Sequence, residues 1–317
     1  MNTLPGQAKG TAHGKIILIG EHAVVYGEPA IAFPFNATPV EARINKTETQ
    51  TMLSSSYYTG PLDEAPKALT NIQTLLAKVK EDLDRPTDHL EITIDSRIPA
   101  ERGMGSSAAV STAFVRALFA YFDVPLDSDQ LIRYVDISEK IAHGNPSGID
   151  ARVTSSDSPV FYKKGRTFES LAIDINGYLI AADTGVKGNT GQAVADVARL
   201  VEADPDQTMA VIKKIGQLTL QAREAIAHDR LAKLGELLTQ AHTALRQLTV
   251  SSAELDHLVA AALRSGALGA KLTGGGRGGC MIALAQSEPQ AKIISNTLME
   301  QGAIGTWIHA LGEDINE

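Results

Sequence analysis

The chain has 317 residues, of which 44% are hydrophobic and 21% are charged, and its formal net charge is −8. This balance is typical of folded globular proteins, and the length is sufficient for two domains. No segment concentrates Lys and Arg, so a surface for nucleic acid or anionic membranes is not expected as the main function.

The chain contains one cysteine, Cys280. A single cysteine excludes an internal disulfide and a multi-cysteine metal cluster, and it fits a reducing compartment. The first residues hold no apolar stretch of signal-peptide length, and no window approaches 18 consecutive apolar residues. We therefore expect a soluble protein in the cytoplasm.

The first half of the chain predicts a mixture of strands and helices. Two short apolar runs between Gly14 and Phe35, KIILIG and AIAFPF, are typical of strands, and YGEP between them is typical of a turn. The run LEITIDSRI alternates as a strand does. Helices are predicted from Ala108 to about Phe122 and from about Ser128 to His143 and Gly144, where Asp/Ser caps and a glycine mark the ends.

The second half predicts mostly helix. Helical periodicity dominates from Thr190 to Arg246, with short links at ADPDQ and AHDR. Ser251 and Glu254 have the spacing of a capping box before a helix that stops at Gly266. The runs GAKLT and CMIALA are typical of strands and flank GGGRGG. Together these elements predict two α+β domains, residues 1–180 and 181–317.

A first glycine-rich segment, IPAERGMGSSAAV, precedes a predicted helix. Such a turn directs unpaired backbone N–H groups and the positive end of the helix dipole at one point, which suits a phosphate group. Glycine also lets the backbone approach phosphate oxygens closely. The hydroxyl of Ser106 or Ser107 can cap the helix, contact phosphate or bind Mg²⁺. The alternative is a plain helix cap, with Gly103 and Gly105 serving a tight turn.

A second cluster, KLTGGGRGGC, places five glycines within six residues between two predicted strands. So many glycines are costly in conformational entropy, so we expect another group to approach this backbone closely. A plain hairpin is the alternative. Thr273 and Arg277 are both candidates for contact with a ligand.

Charged groups stand at three marked positions. Glu139 lies near the end of a predicted helix, and Asp150 follows an N-P-S-G turn eleven residues later. Lys15 opens the first strand, and Glu21 with His22 interrupts its apolar surroundings. The alternatives are an exposed helix carboxylate for Glu139, a helix cap for Asp150 and a solvated strand-edge charge for Lys15. His143 is expected to be structural, and Cys280 to be a buried small hydrophobe.

Taken together and in order, four segments resemble the signature motifs of the GHMP small-molecule kinases. They are GKIILIGEHAVVYGEPAIA, IPAERGMGSSAAV, HGNPSGID and KLTGGGRGGC, and the resemblance spans the chain from about residue 8 to 285. The segment GEHAVVYG differs from the G-E-H-T-D-Y of galactose-specific members, and homoserine-specific members generally lack this opening. The resemblance therefore points to the members that act on mevalonate.

The resemblance implies an α+β GHMP kinase fold, with an N-terminal domain like ribosomal protein S5 domain 2, a ferredoxin-like C-terminal domain and an active site in the cleft between them. It also implies ATP-dependent phosphorylation of the 5-hydroxyl of mevalonate, with Mg²⁺, in isoprenoid precursor synthesis. The expected partners are ATP and mevalonate, without nucleic acid or membrane, and a homodimer is compatible with the sequence. Alternatives are phosphomevalonate or another acceptor within the family, or a nucleotide-binding regulator that has lost catalysis.

The resemblance also implies roles for individual residues. Lys15 and Asp150 would act on the reacting hydroxyl, and Ser107 with Glu139 would hold Mg²⁺. In the segment DTGVKGNT, longer family members carry an Arg two residues before the position of Thr190, where this chain has Gly188. Lys187 is therefore expected to hold the substrate carboxylate instead. The expected ATP-binding residues are Arg102, Gly103, Met104, Gly105, Ser106, Ser107 and Ala108, and the expected mevalonate-binding residues are Glu21, His22, Thr184, Lys187, Gly274, Gly275 and Gly276.

The chemistry of an alcohol acceptor limits what Asp150 can do. Complete deprotonation of an ordinary alcohol by an ordinary carboxylate is uphill by roughly 16 kcal/mol. We therefore expect Asp150 to orient the hydroxyl and to accept its proton late, once the transition state has made that oxygen more acidic, while Lys15 stabilises the developing charge.

Overall fold

The structure is a computed structural model that describes residues 7–99, 102–143, 148–156, 158–165, 168–172 and 175–312. In the first part of the chain the elements are β1 (Gln7–Ile19), β2 (Pro29–Lys46), β3 (Met52–Ser55), β4 (Thr59–Pro61), α1 (Thr70–Leu83), β5 (Leu90–Ser96), α2 (Ser106–Tyr121), α3 (Ser128–His143) and α4 (Ile149–Thr154). In the second part they are β6 (Val160–Lys163), β7 (Glu169–Ser170), β8 (Gly177–Asp183), α5 (Thr190–Ala203), α6 (Pro205–Ala227), α7 (Leu231–Gln247), α8 (Ala253–Arg264), β9 (Gly269–Leu272), β10 (Cys280–Ala285), α9 (Glu288–Glu300) and β11 (Gly305–Leu311).

The chain forms two compact units, and neither is continuous in sequence. The first unit consists of Met1–Gly14, Thr38–Ile98 and Gly105–Ser156, and the second of Lys15–Ala37, Pro99–Met104 and Asp157–Glu317. Strands β1 and β2 each contribute residues to both units. The single domain boundary near Ile180 that the sequence suggests stays a prediction.

The first unit packs helices α1 to α4 with strands in the order β4-β3-β5-β2. Residues Val40 to Lys46 of β2 pair antiparallel with β5, and β3 pairs parallel with β5. The sequence of α2, SSAAVSTAFVRALFAY, is apolar on nearly every side, and eleven of its side chains are buried. A helix with so little polar surface is stable only at the centre of a layer, so α2 forms the middle of this unit.

The second unit is built on a four-stranded antiparallel sheet with the order β11-β8-β10-β9. Helices α5 to α9 supply most of the other core residues, which include Ile212, Leu245, Leu255 and Leu298. Both central strands, β8 and β10, are almost completely buried and lack the alternation of a half-exposed strand. Residues Pro29 to Ala32 of β2 pair with β6, which in turn pairs with β7.

Helix caps account for several boundaries in the second unit. Asn189, Asp204, Ser252 and Ser287 each accept a hydrogen bond from a first-turn backbone N–H, at the starts of α5, α6, α8 and α9. The predicted cap at Ser251 is wrong by one residue. Its hydroxyl instead donates to the Asp256 carboxylate over 2.6 Å.

Among the described residues, the helices are too short or too polar to cross a membrane. The expected cytoplasmic location and the homodimer stay predictions.

Candidate active site

The first glycine-rich segment forms a turn that leads into α2. Gly103 and Gly105 have positive φ values of 77° and 70°, a region that favours glycine. Gly105 occupies the cap position of α2, and no described side chain caps this end of the helix. The first-turn N–H groups are therefore available to an external acceptor, as a phosphate site requires. The backbone N–H of Lys15 donates to the carbonyl of Met104 over 2.9 Å, which places Lys15 beside this turn.

Ser107 and Glu139 are the two expected metal ligands, and both side chains are shielded. The Ser107 Oγ is buried and has no hydrogen-bond partner among the described residues. The Glu139 side chain is 2% exposed, although a glutamate on a helix is usually solvated. A buried hydroxyl that lacks a partner and a buried carboxylate are the hard oxygen donors that Mg²⁺ prefers.

Two contacts define how α2 and α3 pack. The hydroxyls of Ser111 and Ser138 lie 2.6 Å apart, and the rings of Phe119 and Tyr134 meet edge to face with centroids 5.6 Å apart. The order of these pairs shows that the helices run antiparallel. Glu139, one residue beyond Ser138, therefore lies toward the start of α2, which is also the end that carries Ser107.

A buried polar chain reinforces this packing. The Asn71 side-chain amide donates to Ser138 Oγ over 3.0 Å, and Ser138 in turn contacts Ser111. Asn71 is on α1, so three helices meet at these groups. All three side chains are buried, at 8% exposure or less. Buried polar groups need hydrogen-bond partners, so these three hydrogen-bonded side chains fix the relative rotation of the three helices.

Asp150 lies in the first turn of α4, after Gly148 with a φ of 77°. Helix α4 is tied to α2 through the hydroxyls of Thr154 and Thr112, 3.3 Å apart, and through Arg116, which donates to the carbonyl of Ser155 over 3.1 Å. Thr112 comes before Arg116 in α2, and their partners Thr154 and Ser155 follow in the same order, so α4 runs parallel to α2. The first turn of α4 therefore lies toward the start of α2. The predicted N-P-S-G turn, except for Gly148, and the side chain of His143 lie outside the described residues.

Within the first unit, the packing of α2, α3 and α4 therefore gathers Ser107, Glu139 and Asp150 toward one end. Among the described residues there is no group of three or more His, Cys, Asp or Glu side chains that could enclose a metal ion. A divalent ion at Ser107 and Glu139 would need further oxygens from a ligand and water, which is how Mg²⁺ usually binds with phosphates. The donor set fits that ion.

In the second unit, Glu21 forms a buried ion pair with Lys271. The side chains of Glu21 and Lys271 are 1% and 0% exposed, and Lys271 Nζ donates to Glu21 Oε1. Burial raises the pKa of Glu21 above its ordinary value, and the ammonium groups of Lys271 and Lys15 act against this rise. The other carboxylate oxygen, Oε2, is buried with no hydrogen-bond partner among the described residues.

His22 follows Glu21 in an unusual backbone conformation, with a φ of 59°. Its Nε2 lies 3.0 Å from the carbonyl of Gly275 in the second glycine cluster. Burial lowers the pKa of His22 to about 4, so the imidazole is neutral at neutral pH and Nε2–H is the donor to that carbonyl. Glu21, His22 and the Gly274–Gly276 turn are thus neighbours in this unit.

The second glycine cluster is approached closely, as its composition suggests, and the approaching group is the protein's own backbone. A Cβ atom at Gly276 would lie 1.9 Å from the carbonyl oxygen of Val250, and one at Gly279 would lie 2.8 Å from that of Arg102. Thr273 donates its hydroxyl to the carbonyl of Ile17 over 2.8 Å. The glycines therefore serve close chain packing, and this packing sets the turn beside Gly103 and β1.

The remaining expected residues have defined surroundings in the second unit. Thr184 donates its hydroxyl to the carbonyl of Gly279 over 2.7 Å, and Lys187 is exposed. The guanidinium of Arg102 donates to the Asp183 carboxylate over 2.7 Å, and it also contacts the carbonyl of Gly185. The Arg102 side chain therefore anchors the first glycine-rich turn to β8.

Two further side chains have clear structural roles. Arg277 pairs with Asp196 and donates to the carbonyl of Thr249, so its guanidinium is engaged within the protein. Cys280 is fully buried beside Met104, as expected of a small hydrophobe, and burial raises the pKa of its thiol. The buried Cys280 thiol lacks the accessibility of a catalytic group.

Local sequence patterns do not identify several of the residues described above: Lys271, Asp183, and the hydrogen-bonded side chains of Asn71, Ser111 and Ser138. Lys271 stands between Ala270 and Leu272 in a short strand, and nothing local marks it as a partner of Glu21, 250 residues away. Asp183 begins the segment DTG beside Thr184, and this position next to an expected site residue is a usable signal.

Comparisons with known proteins match both halves of the chain. The model for the GHMP kinases N terminal domain matches residues 70–156, and the model for the GHMP kinases C terminal matches residues 222–304. A mevalonate kinase from Pyrococcus abyssi is 34% identical over 303 residues, covering 89% of this chain and 90% of the relative.

Solved structures show the same relationship. The structure of an L. major mevalonate kinase in complex with R-mevalonate is similar, with a TM-score of 0.85 and 28% identity over 98% of both chains. A mevalonate kinase from methicillin-resistant Staphylococcus aureus is 37% identical with a TM-score of 0.78, over 97% of this chain and 100% of that one.

Proposed function

Because the chain belongs to the GHMP kinase family, we propose that it is an ATP-dependent kinase that transfers the γ-phosphoryl group to the 5-hydroxyl of mevalonate. The observation that carries the proposal is the 34% identity to a mevalonate kinase over about nine tenths of both chains. Because the sequence identity extends over both family domains, it supports a shared acceptor site as well as a shared nucleotide site. Phosphorylation of phosphomevalonate or of another acceptor is not favoured.

The start of α2 is the proposed phosphate site. Its uncapped N–H groups and the positive end of its dipole attract the triphosphate, and the glycines before it leave room for the oxygens. The backbone from Gly103 to Ala108 surrounds the phosphates. Arg102 contributes mainly through its own backbone, because its side chain is held by Asp183.

Ser107 and Glu139 would hold Mg²⁺ through their side-chain oxygens. When bound there, the ion neutralises charge on the phosphate oxygens. The buried Ser107 hydroxyl without a partner among the described residues supports this assignment. The packing of α3 against α2 leaves the Glu139 side chain only 2% exposed.

Lys15 and Asp150 would act on the acceptor hydroxyl. The Asp150 carboxylate orients the hydroxyl and receives its proton late in the transfer, when the oxygen has begun to bond to phosphorus. The Lys15 ammonium stabilises the negative charge on the transferring group. The bond from the Lys15 backbone to Met104 supports this role, since it places the lysine beside the phosphate turn.

The acceptor itself would contact Glu21, His22, Thr184 and the Gly274–Gly276 turn. Glu21, His22 and this turn are neighbours within the second unit, as the bond from His22 to Gly275 shows. Lys187 is the proposed partner of the mevalonate carboxylate, because it is exposed and cationic in the DTGVKGNT segment.

A coupled ADP-release assay tests the function directly. The chain is supplied with ATP, Mg²⁺ and one of four acceptors: mevalonate, phosphomevalonate, homoserine or galactose. We expect kcat/KM for mevalonate to exceed that for every other acceptor by at least about 100-fold, since an unmatched polar group at a built site is strongly rejected.

A reaction without acceptor measures background ATP hydrolysis. Preference for phosphomevalonate would replace the proposed substrate. ATP binding without ADP formation on any of the four acceptors would instead favour a nucleotide-binding regulator.

A further inference from the structure

The Glu21–Lys271 ion pair is the most deeply buried charged pair among the described residues. Neither side chain is more than 1% exposed. Lys271 Nζ bonds Glu21 Oε1 and the carbonyl of Leu272, so the ammonium is held at a fixed place at the end of β9. Removing two charges from water is expensive, and apolar side chains of the same size often give equal stability. Stability alone is therefore a weak reason for this pair.

The pair is also incompletely satisfied. Glu21 Oε1 is occupied by Lys271, whereas Oε2 is buried and has no hydrogen-bond partner among the described residues. A buried carboxylate oxygen without a donor is a costly arrangement in a folded protein. Such an orphaned acceptor indicates a donor that is supplied from outside the chain.

The surroundings of Glu21 indicate where that donor would come from. His22 reaches the Gly275 carbonyl, and Lys15 is close enough to Glu21 to lower its pKa. These are residues of the proposed acceptor site. Lys271 lies three residues before Gly274, so β9 joins the buried ammonium to the same glycine turn.

The chemistry of mevalonate identifies the matching donor. The molecule carries one carboxylate and two hydroxyls. Its carboxylate is repelled by Glu21, and its 5-hydroxyl is the reacting group assigned to Lys15 and Asp150. The 3-hydroxyl remains, and a hydroxyl donates well to an ionised carboxylate.

We propose that Lys271 is a positioning residue for substrate recognition: it fixes the Glu21 carboxylate through Oε1 so that Oε2 accepts a hydrogen bond from the 3-hydroxyl of mevalonate. This inference rests on the proposed function. Lys271 makes no contact with the substrate, and its effect is transmitted through Glu21. Without the lysine the carboxylate loses its orientation and the ammonium that favours its charged form.

The test uses binding and a substrate analogue. Mevalonate and 5-hydroxy-3-methylpentanoate, which lacks the 3-hydroxyl, are titrated calorimetrically into the wild type and into Lys271→Met. We expect the wild type to bind mevalonate at least about tenfold more tightly than the analogue, and Lys271→Met to bind the two almost equally. The Kd for ATP is expected to stay within about twofold. Lys233→Met, which removes an exposed lysine from α7, is the matched control.

Each result decides between the possibilities. A Lys271→Met variant that discriminates between the two ligands as the wild type does overturns the inference and leaves the function intact. A wild type that neither binds nor phosphorylates mevalonate overturns the proposed function, and the inference with it.

If Lys271→Met does not fold, the double variant Glu21→Gln/Lys271→Met removes both buried charges and keeps the side-chain volumes. The single variant Glu21→Gln, which keeps Lys271, is titrated beside it. Mevalonate binding at least about tenfold weaker than wild type in the double variant, together with loss of the preference for mevalonate over the analogue in both variants, supports the contact that Lys271 is proposed to position. Wild-type affinity shows that the pair is structural only.

Discussion

The proposed reaction depends most directly on the carboxylate of Asp150. It lies in the first turn of α4 and is assigned to orient the hydroxyl and to receive its proton. Asparagine keeps the shape and one acceptor oxygen but has no negative charge and cannot take the proton. We expect Asp150→Asn to lower kcat by about 10³-fold or more, while the Kd for ATP changes by less than about threefold. Single-turnover kinetics and calorimetry measure the two quantities.

The matched control is Asp129→Asn. Asp129 also lies in the first turn of a helix in the first unit, α3, but it is exposed. Full activity is expected of this variant. Loss of folding or of nucleotide binding in Asp150→Asn, or an equal loss of activity in both variants, contradicts the catalytic assignment.

At the scale of single residues, the sequence identifies side chains that stand in a marked local context. Ser107 follows a glycine turn and Asp150 follows another, and both turns are visible in the sequence. The burial of Glu139 and Lys271 is not visible, because it depends on elements that are distant along the chain. A glutamate on a helix and a lysine in a strand are usually solvated, so their local sequence predicts exposed side chains, whereas both are buried.

The relation between α2 and α3 decides where the proposed metal ligands stand. Ser138 accepts from Asn71 and contacts Ser111, so one hydroxyl joins three helices. Ser138→Ala leaves the other two groups buried without this partner. We expect a loss of about 1–3 kcal/mol in the free energy of unfolding, measured by urea denaturation. Because Glu139 is the next residue, we also expect Mn²⁺, bound in place of Mg²⁺ and followed by electron paramagnetic resonance, to bind about threefold to tenfold more weakly.

Ser295→Ala is the control for this prediction. Ser295 on α9 lies 2.8 Å from the hydroxyl of Thr306, so the change breaks a comparable bond in the second unit. Stability should fall, and Mn²⁺ affinity should not. Equal Mn²⁺ affinity in Ser138→Ala and the wild type would show that the polar chain does not orient the metal ligands.

At the scale of elements, boundaries with local causes were predicted well. Helix α3 begins at Ser128 and ends at His143 as its caps suggest, and α2 begins two residues before the predicted Ala108. The lengths of β1 and β2, 13 and 18 residues, were not predicted. Polar residues interrupt their apolar patterns, and pairing with distant strands extends them beyond the runs that a period-two pattern reveals.

At the scale of the molecule, the expected α+β GHMP kinase fold is confirmed. That expectation came from the motifs, since periodicity alone gives a list of elements without their order in a sheet. The strand order β11-β8-β10-β9 joins segments nearly 130 residues apart in sequence, and no local rule specifies it.

Two buried histidines make the stability of the second unit depend on pH. Burial lowers the pKa of both His22 and His242 to about 4. His242 Nδ1 accepts from the backbone N–H of Leu272 over 3.3 Å, so it carries no proton, and Nε2 lies 3.2 Å from the Asp256 carboxylate. Protonation of Nδ1 would break the bond to Leu272. Among the charged neighbours of His242, Asp256 favours protonation, and Arg246 and Lys271 oppose it.

The resulting loss of stability has a defined pH window. An unfolded histidine binds a proton near pH 6.5, whereas the folded pKa of His242 is about 4. The unfolded state therefore binds more protons, so the contribution is complete above pH 6.5 and is lost as the pH falls toward 4. We expect it to reach about 3 kcal/mol. The free energy of unfolding, measured by urea denaturation, should fall less steeply between pH 7 and 4 for His242→Gln than for the wild type. His228→Gln, at an exposed position, should follow the wild type. Parallel curves for His242→Gln and the wild type would mean that folding does not change the pKa of this imidazole.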